Sequence, residues 1–215
     1  MLGAALLEVV LPLECGGCGA PSTRWCPACA AFLQLNPGEP DVVVPRVDPG
    51  VPVFALGRYV GPRRQSIVAV KERGRRDLVA PLARTMALGV HRLVEWGVLA
   101  APLTLVPAPT RRSAARRRGG DPVARMAAAA CAACPDIHVA PVLRTTAWVR
   151  DSVGLSGADR ERNIAGRVRV SRPLPAGEVL VVDDIVTTGA TAREAVRALA
   201  AAGVPVAAVL TLAHA

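Results

Sequence analysis

At 215 residues and 52% hydrophobic side chains, the chain can bury a full core as one domain, with or without a small appendage. Only six residues are aromatic (three Trp, two Phe, one Tyr), so the core is aliphatic, and a dedicated stacking platform for single-stranded nucleic acid is disfavoured. The net charge of +9 rests on 26 basic residues, all arginine except Lys71. With the alanine runs, this reads as a coding bias: the charge suits phosphate-rich small ligands or weak, salt-sensitive nucleic-acid contact and selects neither.

Residues 1–13 are largely apolar, but no basic cluster precedes them, Glu8 interrupts them and no small-residue cleavage site follows. Glu14 beside Cys15 also argues against a lipoprotein site. The expectation is a short amphipathic helix, not a signal peptide. Cys15-Gly-Gly-Cys18 and Cys26-Pro-Ala-Cys29 come next, two Cys-x-x-Cys pairs separated by seven residues. Thiolates so spaced suit a tetrahedral zinc ion with no open position, which makes the site structural and not catalytic. The alternative is a pair of disulfides, which a cytoplasmic compartment disfavours. This gives a zinc-binding module with its leading helix at 1–35, and a proline-rich linker at 36–52 with a short extended piece at 42–44.

A main domain is expected over 53–215. Its pattern predicts a strand at 54–59, helix at 66–70 and 78–96, a buried strand at 103–106, an Ala-rich helix at 122–134 and a strand at 139–143. A polar loop at 144–163 precedes a short strand at 168–170. Cys131 and Cys134 lie in the Ala-rich helical pattern with no second ligand pair and read as small buried hydrophobes. His91 and His138 are isolated and receive no role. The apolar tract 198–213 is broken by Gly203 and Pro205, so it reads as a helix end and a core strand. No membrane insertion is expected, and the chain is expected to be cytoplasmic. The alternation of elements indicates a parallel α/β sheet flanked by helices.

The densest signal comes near the end. Val179, Leu180, Val181 and Val182 read as a buried parallel strand, with Asp183 and Asp184 where that strand should stop. A hydroxyl- and glycine-rich turn follows through Thr187, Thr188, Gly189, Ala190 and Thr191, and residues 192–200 form helix readily. Ligands of open α/β sheets sit beyond the carboxyl ends of strands, and helix N-termini bind phosphate. One ligand shape fits both halves: a sugar whose hydroxyls meet the acids and whose phosphate sits in the turn.

The ungapped run Val-Leu-Val-Val-Asp-Asp-Ile-Val-Thr-Thr-Gly-Ala-Thr resembles the binding motif of type I phosphoribosyltransferases for phosphoribosyl pyrophosphate (PRPP). Joined to a four-cysteine N-terminal module, it resembles the ComF (ComFC) family, which takes part in DNA uptake during natural transformation. Further matching landmarks are Tyr59, Lys71, Val106-Pro-Ala-Pro109, Arg118-Gly119, Leu155-Ser156 and Arg162-Asn163. Two segments depart from the family pattern, at Gly120-Asp121-Pro122 and at Ser152-Val153-Gly154. The resemblance implies a type I phosphoribosyltransferase-like fold and a PRPP site with Mg²⁺. Asp183 and Asp184 would accept hydrogen bonds from the ribose hydroxyls as the catalytic pair, and Thr187, Thr188, Gly189, Ala190 and Thr191 would hold the 5-phosphate. Arg111 and Arg112 would offer charge-assisted contacts to pyrophosphate, their alternative being a solvated basic run. Lys71, the one lysine, is a candidate for a compact phosphate contact. The implied partners are PRPP or a related sugar phosphate, and a DNA-uptake protein or single-stranded DNA. A phosphoribosyltransferase is the first expectation. The alternative is a non-catalytic sugar-phosphate-binding adaptor of the uptake machinery.

Overall fold

The computed structural model describes residues 13–109, 120–146 and 164–215. A one-and-a-half-turn helix, α1 (Pro27–Phe32), starts inside the second cysteine pair, with Cys26 as its N-cap. A short antiparallel pair, β1 (Asp41–Val42) and β2 (Val53–Ala55), leads into α2 (Gly61–Glu72) and α3 (Val79–Glu95). Then come β3 (Leu103–Pro107), α4 (Pro122–Ala130), β4 (Ile137–Val139), β5 (Leu143–Thr145) and β6 (Val168–Val170). The chain closes with β7 (Glu178–Val186), α5 (Ala190–Ala200) and β8 (Ala208–His214).

Six strands form one sheet in the order β1-β2-β8-β7-β3-β4, parallel except at the β1–β2 edge. The α/β expectation holds. Both faces of the sheet are covered, which is why its central strands are continuously apolar. Leu180, Val182, Leu103 and Leu105 pack into one core with residues of α2, α3 and α4. Val179, Val181 and Val209 pack into a second core with Ala192, Ala195 and Leu199 of α5. The small antiparallel β5–β6 pair joins that second core through Leu143 and Val168.

Three local differences from the sequence pattern have simple causes. The predicted strand at 139–143 is two strands in separate sheets, because the segment Ala140-Pro141 interrupts the ladder. Helix α2 begins at Gly61, not Ser66: Pro62 occupies its first turn, where a missing N–H costs nothing. Strand β7 does not stop before the acids but runs through them, because β8 continues alongside, pairing Asp183 with Thr211 and Ile185 with Ala213. Cys131 is buried as expected, its thiol pushed up to about 11 by that burial, whereas Cys134 is exposed. Among the described residues, no helix is long and apolar enough to cross a membrane.

Candidate functional site

Strand β3 is followed through α4 by β4 on one side of the sheet, and β7 through α5 by β8 on the other. The order therefore reverses between β3 and β7, and the crevice outside their carboxyl ends is where an open α/β sheet receives a ligand. Strand β3 stops early there. Its register ends with Pro107 opposite Val182, the last bond runs from Ala108 N to Val182 O at 2.8 Å, and Pro109 has no N–H to continue. Asp183 and Asp184 thus lie one step beyond their neighbour strand on that side. The Asp184 N–H donates to Asp183 Oδ1 at 2.8 Å.

Asp184 shares the strand face of Leu180 and Val182, the face on which α2 packs. From the last turn of α2, Lys71 Nζ donates to Asp184 Oδ1 at 3.0 Å and lies 3.0 Å from Oδ2. Asp184 is buried and Lys71 partly exposed, so the pair looks out of the crevice with its cation. Burial opposes the charge on Lys71, but Asp184 and then Asp183 outweigh it and hold the ammonium above its ordinary pKa. Asp183 is half-buried; desolvation first, and the adjacent Asp184 second, hold its carboxyl well above the usual carboxylate range. Asp121 adds to that push from α4, which it caps by accepting from Val123 N and Ala124 N.

The hydroxyl-rich turn sits directly above. Gly189 has φ of +88°, and a Cβ there would run into Val47 O and Pro45, so the position requires glycine. Val47 N donates to Thr188 O at 2.8 Å, which braces the turn against the proline-rich segment. Thr188 Oγ1 accepts from Ala190 N at 3.4 Å. Thr187 is exposed, Thr188 and Thr191 half-buried, and the N-terminus of α5 starts at Ala190. Unpaired helix N–H groups and the helix dipole favour an anion at this point.

Lys71, Asp183, Asp184 and the 187–191 turn therefore gather at one strand end. Arg111 and Arg112 lie outside the described residues, as do Arg118, Leu155, Ser156, Arg162 and Asn163 of the family landmarks. Sequence reasoning missed two supporting acids. Asp121 was visible as a departure beside Pro122. Glu194 is buried on α5, accepts from Gly166 N at 2.8 Å and pairs with Arg197 at 3.0 Å, so it ties the β6 approach to α5. Its signal in the sequence is the Glu194/Arg197 spacing of three.

The four cysteines form a second cluster. Their sulfurs all lie within 4.8 Å of one another, and Cys18 Sγ is 3.6 Å from Cys26 Sγ. A tetrahedron with Zn–S of about 2.3 Å has edges of about 3.8 Å, so the set fits a zinc ion. Two backbone N–H groups already point at sulfur: Cys26 N at Cys15 Sγ (3.3 Å) and Cys29 N at Cys26 Sγ (3.4 Å). Against the desolvation of burial, N–H donors of Cys18, Cys26 and Gly17 pull the Cys15 thiol down to about 6. Burial and the neighbouring sulfurs push Cys29 up. Cys15 and Cys29 are buried, Cys26 is intermediate and Cys18 exposed, so a zinc ion would be closed to substrate by its four thiolates and not by burial.

Fold and site together define an α/β protein with an acid-tipped strand at its switch point and a four-cysteine module that can hold zinc. No family model matches the chain. It is similar to Competence protein F of Haemophilus influenzae, with 25% identity over 193 residues, covering 88% of this chain and 80% of that protein. This likeness, with the cysteine cluster, supports the reading of the chain as a ComF-family protein.

Proposed function

We propose that this protein binds PRPP with Mg²⁺ in the crevice between the carboxyl ends of β3 and β7, and that it acts as a phosphoribosyltransferase in competence and DNA uptake. The observation that carries the ligand reading is the conjunction of Asp183, Asp184, Lys71 and the glycine-dependent turn at one switch point. The process is taken from the relative's name, Competence protein F, together with the family resemblance.

In this reading Asp183 and Asp184 accept hydrogen bonds from the ribose 2- and 3-hydroxyls. The backbone donors of 187–191 and the threonine hydroxyls hold the 5-phosphate at the start of α5. Lys71, already beside the acids, turns its ammonium to the ligand's phosphate oxygens, joined by Arg111 and Arg112. Mg²⁺ bound with the ligand would supply charge neutralisation for the pyrophosphate leaving group. As the C1–O bond to pyrophosphate breaks, the carboxylates stabilise the oxocarbenium-like sugar until the acceptor's nucleophile forms the new bond at C1, and no protein nucleophile takes part. Cys15, Cys18, Cys26 and Cys29 would hold zinc with four thiolates, which would leave no open position for chemistry.

The test is twofold. PRPP with Mg²⁺ raises the melting temperature by mass action whether or not the protein turns the ligand over. Pyrophosphate release, screened against free bases, nucleotides and DNA, then separates enzyme from adaptor. Release above the level of an Asp183→Asn, Asp184→Asn double variant is expected. No release with any acceptor leaves the adaptor reading.

A further inference from the structure

We infer that the cysteine module is a positioning element of the acidic site, fixing α2 at both ends so that Lys71 meets Asp184. The starting observation is Arg63, in the first turn of α2. It is only 5% exposed, and among the described residues its Nε has no hydrogen-bond partner. Among the described residues no ion pair is formed by Arg63, although Glu39 and Asp41 favour its charge, so packing holds the side chain in place. Its guanidinium lies 5.6 Å from the ring centroid of Phe32, the last residue of α1, and on its other side it abuts Gly57, where a Cβ would collide with it. The Phe32 ring also stands next to Gly61, at the first residue of α2. Helix α1 of the module thus packs against the start of α2.

The other end is fixed independently. Arg75, four residues after Lys71, pairs with Asp77 at 2.7 Å. It donates from Nη1 to Glu14 O at 3.2 Å and from Nη2 to Arg24 O at 3.4 Å. Glu14 adjoins Cys15, and Arg24 stands two residues before Cys26, so one guanidinium fork spans the backbones of both cysteine pairs. Leu78, wholly buried, fills the space beside Gly16 between the first two cysteines. The backbone N–H of Arg75 meanwhile donates to Ala69 O, closing the end of α2 two residues from Lys71. Carbonyls near the cysteines are fixed by the fold of that short loop, and through Arg75 they fix where α2 ends. Only the functional consequence rests on the PRPP reading of the site; the contact between Lys71 and Asp184 does not.

Lys71 is the one lysine of the chain, so isotope-labelled lysine gives a single side-chain signal. The full-length, metal-loaded protein is compared with Arg75→Ala, Phe32→Ala and Arg75→Lys, the last keeping a charge beside Asp77 without a fork to span two carbonyls. The expected result is a Lys71 signal moved towards that of a free, solvated lysine in the variants, with metal content unchanged. PRPP affinity should fall by about tenfold, the worth of one well-placed charge-assisted contact. In a Lys71→Ala background the same substitutions should change affinity little. An unmoved Lys71 signal in folded variants, or an equal loss of affinity without Lys71, overturns the inference. If the signal moves but the parent protein does not bind PRPP, the tie stands and the ligand assignment falls.

Discussion

The four-cysteine cluster draws all its sulfurs from residues 15–29, whereas the ion pair at the acidic strand end joins residues 113 positions apart. The first is closed by local spacing and depends on little else for its geometry. The second exists only once the sheet has formed, because β3 must stop at Ala108 and β7 must run on beside β8 to carry the two carboxylates past the end of the neighbouring strand. A local, closed arrangement suits a structural ion. A crevice assembled from distant segments, with a partly exposed cation and a half-buried acid, suits a ligand that comes and goes.

That contrast can be broken most forcefully at the cysteines. Metal analysis should find one zinc per chain, and Cys15→Ser with Cys26→Ser should abolish it. Metal binding supplies most of such a module's folding free energy, on the order of 10 kcal/mol. Loss of structure, read by circular dichroism, should centre on the module while the sheet of the main domain survives. Next in size are Asp183→Asn and Asp184→Asn. Each removes a charged acceptor worth about 1.5–3 kcal/mol, so PRPP affinity should fall by about tenfold or more, measured by fluorescence competition. Thr188→Ala should act in the same direction and less, since backbone donors remain.

A pH series sharpens the comparison. Asp183 is held above its ordinary pKa, so its ionised form costs stability: protein stability should fall as pH rises through the interval between the unfolded and the raised folded pKa. Ligand affinity should move the opposite way, weakening as acidification protonates the acceptor. Asp183→Asn should remove both trends, and melting and binding curves that keep them in the variant would assign them to another group. The smallest effect is expected from Lys71→Arg. It keeps the charge but substitutes a planar fork for a compact ammonium, and a few-fold loss of PRPP affinity should follow. Unchanged affinity would make Lys71 a structural partner of Asp184 alone.

Much of this was legible in the sequence, and the limits have physical causes. The run from Val179 to Thr191 carries its own strand, acids and turn, so local pattern marked them, although the end of the strand was set by β8. Cysteine spacing was equally local. The pairing of Lys71 with Asp184 was not legible, because no one-dimensional pattern records which helix crosses which strand end. The rarity of lysine singled the residue out without naming its partner. Arg63 offered no signal, because it is tertiary packing against Phe32 that buries it. The split of residues 137–145 into two sheets failed for a related reason. A short apolar run specifies strand, but the sheet it joins is decided by its neighbours.

The central claim is that Asp183 and Asp184 at the β3–β7 crevice bind a sugar phosphate, and isothermal calorimetry with PRPP and Mg²⁺ tests it most directly. The wild-type chain should bind with a stoichiometry of one, and the Asp183→Asn, Asp184→Asn double variant, shown to be folded and zinc-loaded, should give no measurable heat. Binding of equal strength in both proteins, or none in the wild type, would contradict it.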